Sequence, residues 1–165
     1  MVLCMTTEDE QSSTTEIIAP ARSVVTGDRL AISGDHGRSV SGAFGRAIAG
    51  DYGCAISDDD GYSRTGREGY SLSGNRGLSV AGDDGMAIAG DDGIVRAGRG
   101  GMIVLSNADQ RGIRYVVAAD INEDAVPRPD TFYRLDGHAF VEAFDVDETG
   151  LFSESEPPLH TGGAS

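Results

Sequence analysis

A glycine recurs every eight residues along the middle of this chain, and that spacing rules out most ways of folding it. Gly37, Gly45, Gly53, Gly61, Gly69, Gly77, Gly85, Gly93 and Gly101 stand in unbroken steps. Three positions ahead of them runs a second ladder, Gly34, Gly42, Gly50, Gly66, Gly74, Gly82, Gly90 and Gly98, interrupted only by Asp58. Each glycine inside a helix costs about 1 kcal/mol relative to alanine, so a helix interrupted this often does not form. A short fixed period instead marks a stack of identical small units.

Each unit reads G-x-x-G followed by four alternating residues. Asp or Asn is frequent just after the first glycine, as in Asp35, Asp51, Asp59, Asn75, Asp83 and Asp91. Such a sequence suits a tight turn, with glycine supplying positive φ and Asp bonding its own backbone. Two ladders of small residues follow. The first is Ser39, Ala47, Ala55, Ser63, Ser71, Ser79 and Ala87; the second is Ser41, Ala49, Ser57, Thr65, Ser73, Ala81, Ala89 and Ala97. Between them stand Val40, Ile48, Ile56, Arg64, Leu72, Val80, Ile88 and Arg96. Period two inside period eight means a short strand and a turn. The expected fold is therefore all-β: a parallel β-solenoid of eight-residue repeats with a small C-terminal β-hairpin cap. A strict size limit belongs to a closed interior, so the Ala/Ser ladders are expected inward. The opposite orientation would bury Arg64 and Arg96. Two octads per coil would give a thin two-sheet stack about 22 Å long. Its outer face on the odd units, from Arg38/Val40 to Met102/Val104, grows steadily more apolar. Two readings of that face stand side by side: an interface, mainly with a second copy, or a surface covered by the chain's own C-terminal module.

The flanks divide the rest. Residues 1–15 are expected to be disordered, 16–105 to form the solenoid, 106–145 a capping β module and 146–165 an acidic disordered tail. Ile17 to Val25 is expected to form a strand capping the first coil. Residues 112–121 (GIRYVVAADI) spell a longer strand, and 131–144 a hairpin turning at Asp136-Gly137.

These octads, for example Ala87-Ile88-Ala89-Gly90-Asp91-Asp92-Gly93, resemble the G-T-A-T-A-G-D-Y octapeptide repeats of an uncharacterised family of bacterial and prophage proteins. Tyr133-Arg134-Leu135-Asp136 and Phe140-Val141-Glu142 are similar to that family's closing segment. The resemblance covers roughly residues 34–143 and implies a β-solenoid of phage or mobile-element origin, without implying an activity. Where that family places outward Thr pairs, this chain has Val, Ile, Leu, Met, Tyr and Arg, which suggests a surface made for a protein partner.

Charge narrows the choice of partner. The net charge is −14, and all 13 basic residues are Arg. An acidic chain does not grip a phosphate backbone, and the absence of lysine excludes Schiff-base and P-loop lysine chemistry. Residues 24–105 carry eleven acids against eight bases, while 106–165 carry twelve against four, so most of the acidity follows the repeats. Cys4 and Cys54 do not make a disulfide framework, there is no secretion signal or apolar span, and a cytoplasmic protein is expected.

Chemistry finds little purchase. His36, His138 and His160 are unpaired by spacing, no nucleophile elbow or zinc motif occurs, and no cofactor is expected. Asp35, Asp51, Asp83 and Asp91 are weak calcium candidates, but Ala43, Arg67 and Arg99 replace the acid at other turns. The one Thr in the repeats, Thr65, cannot make an ice-binding array. The expected function is a non-catalytic protein-binding solenoid. In one version it inhibits a host defence or DNA-handling protein through an acidic, nucleic-acid-mimicking surface; in the other it is a self-assembling structural module. The candidate contact residues are Asp58, Asp59, Asp60, Tyr62, Arg64, Tyr70, Leu72, Met86 and Ile88.

Overall fold

The computed structural model describes residues 17–19, 21–108, 111–112, 114–144 and 146, so the predicted disordered segment 1–15 and almost all of the acidic tail lie outside it. Those residues form two sheets packed back to back. One holds β1 (Ile17–Ala19), β3 (Leu30–Ser33), β5 (Arg46–Ile48), β7 (Tyr62–Arg64), β9 (Leu78–Val80), β11 (Ile94–Arg96), β14 (Tyr133–Asp136) and β15 (Ala139–Glu142), in that spatial order. The other holds β2 (Arg22–Val24), β4 (Arg38–Val40), β6 (Cys54–Ile56), β8 (Tyr70–Leu72), β10 (Met86–Ala89), β12 (Met102–Ala108) and β13 (Arg114–Asp120). Odd and even strands alternate between the sheets, so the chain winds as a parallel β-solenoid of about five turns. In the repeat each strand pairs with the one sixteen residues on, as Arg38 with Cys54 and Cys54 with Tyr70.

Both Ala/Ser ladders point inward. Ala47, Ala55, Ser39, Ser63, Ser79 and Ala87 are wholly buried, and Ala49, Ser57, Ser73 and Ala81 nearly so. Two sheets this close leave room for a methyl or a hydroxyl and nothing larger. Serines on opposite sheets bond across the bore: Ser71 Oγ donates to Ser63 Oγ at 2.8 Å, and Ser79 Oγ donates to Ser71 Oγ at 2.8 Å. Toward the last coil the ladder swells to Val95, Ile103 and Leu105, and the buried Tyr133 packs in the same cluster. The core thus shifts from a thin polar seam to an apolar plug at the capped end.

The turns correct one expectation. Positive φ was assigned to the ladder glycines, yet from Gly37 to Gly93 the residue just before the glycine takes it: His36, Phe44, Tyr52, Asp60, Glu68, Arg76, Asp84 and Asp92, with φ between 52° and 59°. The glycines serve close approach instead. A Cβ on Gly45 would lie 2.7 Å from Ser41 Cβ and 2.9 Å from the Gly42 carbonyl oxygen. Each left-handed residue costs about 1 kcal/mol or more. In return the N–H groups from His36 to Asp84 reach the next coil, as His36 N–H to Asp51 O at 2.7 Å and Tyr52 N–H to Arg67 O at 2.8 Å.

The ends also differ in detail. The expected strand over Ile17–Val25 is two strands, β1 and β2, one in each sheet, so they add to the stack rather than lie across it. The hairpin closes at Gly137-His138, one residue later than expected, because Asp136 pairs with Ala139 and Gly137 takes φ 58°. Glycine at the first loop position fits a type II′ turn, whose first residue needs positive φ. This hairpin adds to the edge of β11 through Val95 opposite Tyr133, and β13 adds to β12 antiparallel. Both additions cover edges that would otherwise invite another strand. Among the described residues there is no helix, hence none long and apolar enough to cross a membrane.

Two substitution pairs follow. Gly45→Ala is expected to cost about 1–3 kcal/mol from overpacking. Its neighbour Phe44→Asn is expected to be neutral or to stabilise by up to ~1 kcal/mol, since Phe44 is 67% exposed in a conformation that Asn tolerates better. Ser71→Ala should cost about 1–2 kcal/mol by orphaning its serine partner. Ser57→Ala should stay within about 0.5 kcal/mol, because the buried Ser57 hydroxyl has no partner among the described residues and equivalent positions already hold Ala. Urea unfolding of the four variants measures both contrasts.

Candidate protein-binding face

The two outer sheet faces end up unlike each other. On the eight-stranded sheet, Phe132 and Ala143, which flank the edge hairpin, pack with Val146 on Tyr62, Leu78, Val80, Ile48 and Ile94. Arg96 holds this covering segment in place, with its guanidinium 2.9 Å from Asp130 and 5.3 Å above the Phe132 ring. The covering expected for the odd-unit face therefore falls on the opposite sheet. Tyr62, a candidate contact residue, is 9% exposed beneath it, with the Arg46 guanidinium over its ring.

The seven-stranded sheet keeps its outer side chains in two straight columns. One column runs Val24, Val40, Ile56, Leu72, Ile88 and Val104, then Ala118 by antiparallel pairing. The other runs Arg22, Arg38, Cys54, Tyr70, Met86, Met102 and Asp120. Even within this packed ladder Val24 is 48%, Tyr70 59% and Leu72 39% exposed. Parallel in-register pairing makes the columns, because residues sixteen apart share one height and one direction. The structure thus brings together four of the candidate contact residues, Tyr70, Leu72, Met86 and Ile88. It separates them from Asp58, Asp59 and Asp60, which occupy a turn at the stack's edge, and from Tyr62 and Arg64 on the other sheet.

Sequence reasoning missed both ends of these columns. The signal was there: Arg22-Ser23-Val24 repeats Arg38-Ser39-Val40 at the sixteen-residue coil period. It was hidden because the intervening turn is out of step with the octads. The strand β13 carries no octad at all, and only its pairing with β12 puts Ala118 and Asp120 on this face.

The turn acids work between coils. Asp35 Oδ1 accepts the Asp51 N–H at 2.9 Å, Asp51 Oδ1 the Arg67 N–H at 2.8 Å, and Asp83 Oδ1 the Arg99 N–H at 2.9 Å. The expectation that Asp bonds its own turn is corrected: the acceptor serves the coil above. This explains the second glycine ladder too, since a Cβ on Gly90 would lie 2.7 Å from the Asn75 Oδ1 that fills the same role. The weak calcium candidates are thereby occupied, Asp91 by Ser106 and Arg114. Among the described residues no three His, Cys, Asp or Glu side chains gather to hold a metal ion.

The acidic triplet is likewise engaged. Asp59 Oδ1 accepts the Asn75 N–H at 2.7 Å, and Asp60 takes Arg76 Nε–H at 2.8 Å, with the guanidinium bonded to both carboxylate oxygens. That ion pair holds the Asp60 carboxyl below its ordinary range and raises Arg76. On the other edge a hydrogen bond to Glu68 pushes the Tyr52 hydroxyl up, and His36 stacks on Tyr52 at 4.9 Å. The second histidine, His138, stacks on Tyr115 at 4.1 Å in the cap. A cleft of about 340 Å³, lined among others by Leu105, Asn107, Arg134, Asp136 and Val141, lies between the end of the stack and its cap. Searches against protein-family models, curated proteins and solved structures returned no match for this chain.

A depressed carboxyl stabilises the fold above the unfolded carboxyl pKa and loses that contribution as pH falls through the folded value. The difference in urea midpoint between the protein and Asp60→Asn should therefore be constant above about pH 5 and close below it, toward about pH 2. A difference that persists unchanged in acid would show that the Asp60–Arg76 pair contributes nothing.

Proposed function

We propose that this chain is a non-catalytic binding module whose working surface is the outer face of its seven-stranded sheet. One observation carries the proposal: Phe132, Ala143 and Val146 cover the apolar side chains on one of the two outer sheet faces, while the other keeps an aliphatic column in view. That column spans seven strands, about 29 Å at the usual strand spacing. A contiguous apolar strip on an acidic protein is normally an interaction surface. The octad resemblance adds the setting of a phage or mobile element, and with it a host protein as one class of partner. Two of the three acids in the Asp58–Asp60 triplet are committed to the turns, so the sheet face is preferred over nucleic-acid mimicry as the means of contact.

Quantified affinity capture from host extract tests this. Leu72→Asp should fold normally, because Leu72 is 39% exposed, and should lose captured protein by about tenfold or more. Capture that survives Leu72→Asp but fails when Asp58, Asp59 and Asp60 are all changed to Ala would move the site to the acidic turn and overturn the proposal.

A further inference from the structure

The seven-stranded face has an internal symmetry that its strand order makes visible. β8 stands at the centre, with β6, β4 and β2 on one side and β10, β12 and β13 on the other. Charge is placed asymmetrically about that centre. Arg22 and Arg38 occupy the β2–β4 end of one column, Asp120 occupies the far end, and Cys54, Tyr70, Met86 and Met102 fill the uncharged middle.

We infer that the occupant of this face is a second copy of the chain, related by a two-fold axis lying along the strands through β8. The inference rests on the reading of this face as the working surface. Such an axis reverses the stacking direction and keeps the strand direction, so each column meets its own reverse. Arg22 then faces Asp120 of the second copy, and the mirror pair forms at the other end. Tyr70 meets Tyr70 at the centre, the position where an exposed aromatic contributes most. In the aliphatic column Leu72 meets Leu72, Ile56 meets Ile88, Val40 meets Val104 and Val24 meets Ala118. The opposite choice, an axis along the stack, places Arg22 and Arg38 at the same height as their own copies and gains no charge pairing. A two-fold interface has to be self-complementary in this way.

Net charge points to the same face. Each copy carries −14, so approach is repulsive almost everywhere. The two columns hold two Arg and one Asp, so this strip lacks the acidic excess of the chain as a whole. Its footprint is about 30 Å by roughly 15 Å, or on the order of 450 Å² per copy, against the ~800 Å² of a standard interface. The dimer is therefore a reversible one that forms at micromolar concentrations or above.

Sedimentation equilibrium of the full chain from about 1 µM to about 1 mM reads the monomer–dimer equilibrium across that range. Leu72→Asp should abolish the dimer. Arg22→Asp and Asp120→Arg should each weaken it by about tenfold, because each sets like charges opposite one another twice. Arg22→Asp and Asp120→Arg together should bring the affinity back to within about threefold of the unmodified chain. A chain that stays monomeric to the top of the range overturns the inference, as does a dimer indifferent to Leu72→Asp. So does a dimer that the double exchange fails to restore. If the two-fold pairing fails while Leu72→Asp still abolishes capture of a host protein, the face remains the working surface. If Leu72→Asp changes neither, that reading falls as well.

Discussion

Everything in this fold hangs on the sixteen-residue backbone ladder. A coil of two three-residue strands buries almost no side-chain volume, so the hydrogen bonds that join it to the next coil must be complete. They are made at strands and turns alike. Strand residues pair in register, Cys54 N–H reaches the Gly37 carbonyl, and even the left-handed turn residues donate upward, as Phe44 to Asp59. Buried backbone groups left without partners are costly, so each turn has to place its amides under the carbonyls of the next. The left-handed, non-glycine residues of the repeat turns follow from that requirement. Their strain is tolerated because the ladder on both sides fixes the turn.

The same constraint sets the side-chain alphabet. From Ser39 to Ala89 the spacing between sheets limits the bore to Ala, Ser and Thr, and close approach at the turns favours glycine at two positions. Asp and Asn are selected at the turn because one side-chain oxygen can accept the amide of the next coil. Only the positions that point away from both sheets are free to vary, and there the chain differs between its two faces. On one, Tyr62, Leu78 and Val80 receive Phe132 and Ala143. On the other, Tyr70 and Leu72 remain in view.

Much of this could be read from the residues alone. The strict octad and the narrow Ala/Ser ladders point to a thin solenoid with two units per coil, and the size limit alone turns those ladders inward. What the residues could not reveal depends on contacts between coils. Gly45 and Phe44 look interchangeable as bearers of positive φ until the coil below is placed, where a Cβ on the glycine would lie 2.5 Å from the Gly27 carbonyl oxygen. Phe132 reads as an unremarkable aromatic at the start of the hairpin; which sheet it covers is decided by the path of the chain around the capped end. The candidate contact residues were chosen as one set. The winding of the chain puts Tyr70, Leu72, Met86 and Ile88 on one side and Tyr62 and Arg64 on the other, a division that follows from the coil period and not from any single octad.

A continuous ladder requires the turns to be as firmly bonded between coils as the strands. Native-state amide hydrogen exchange measures this residue by residue. The N–H groups of Phe44, Tyr52, Asp60, Glu68 and Arg76 should be protected to the same degree as those of the neighbouring strands Cys54–Ile56 and Tyr70–Leu72. Turn amides that exchange as fast as exposed loops, beside protected strands, would contradict it.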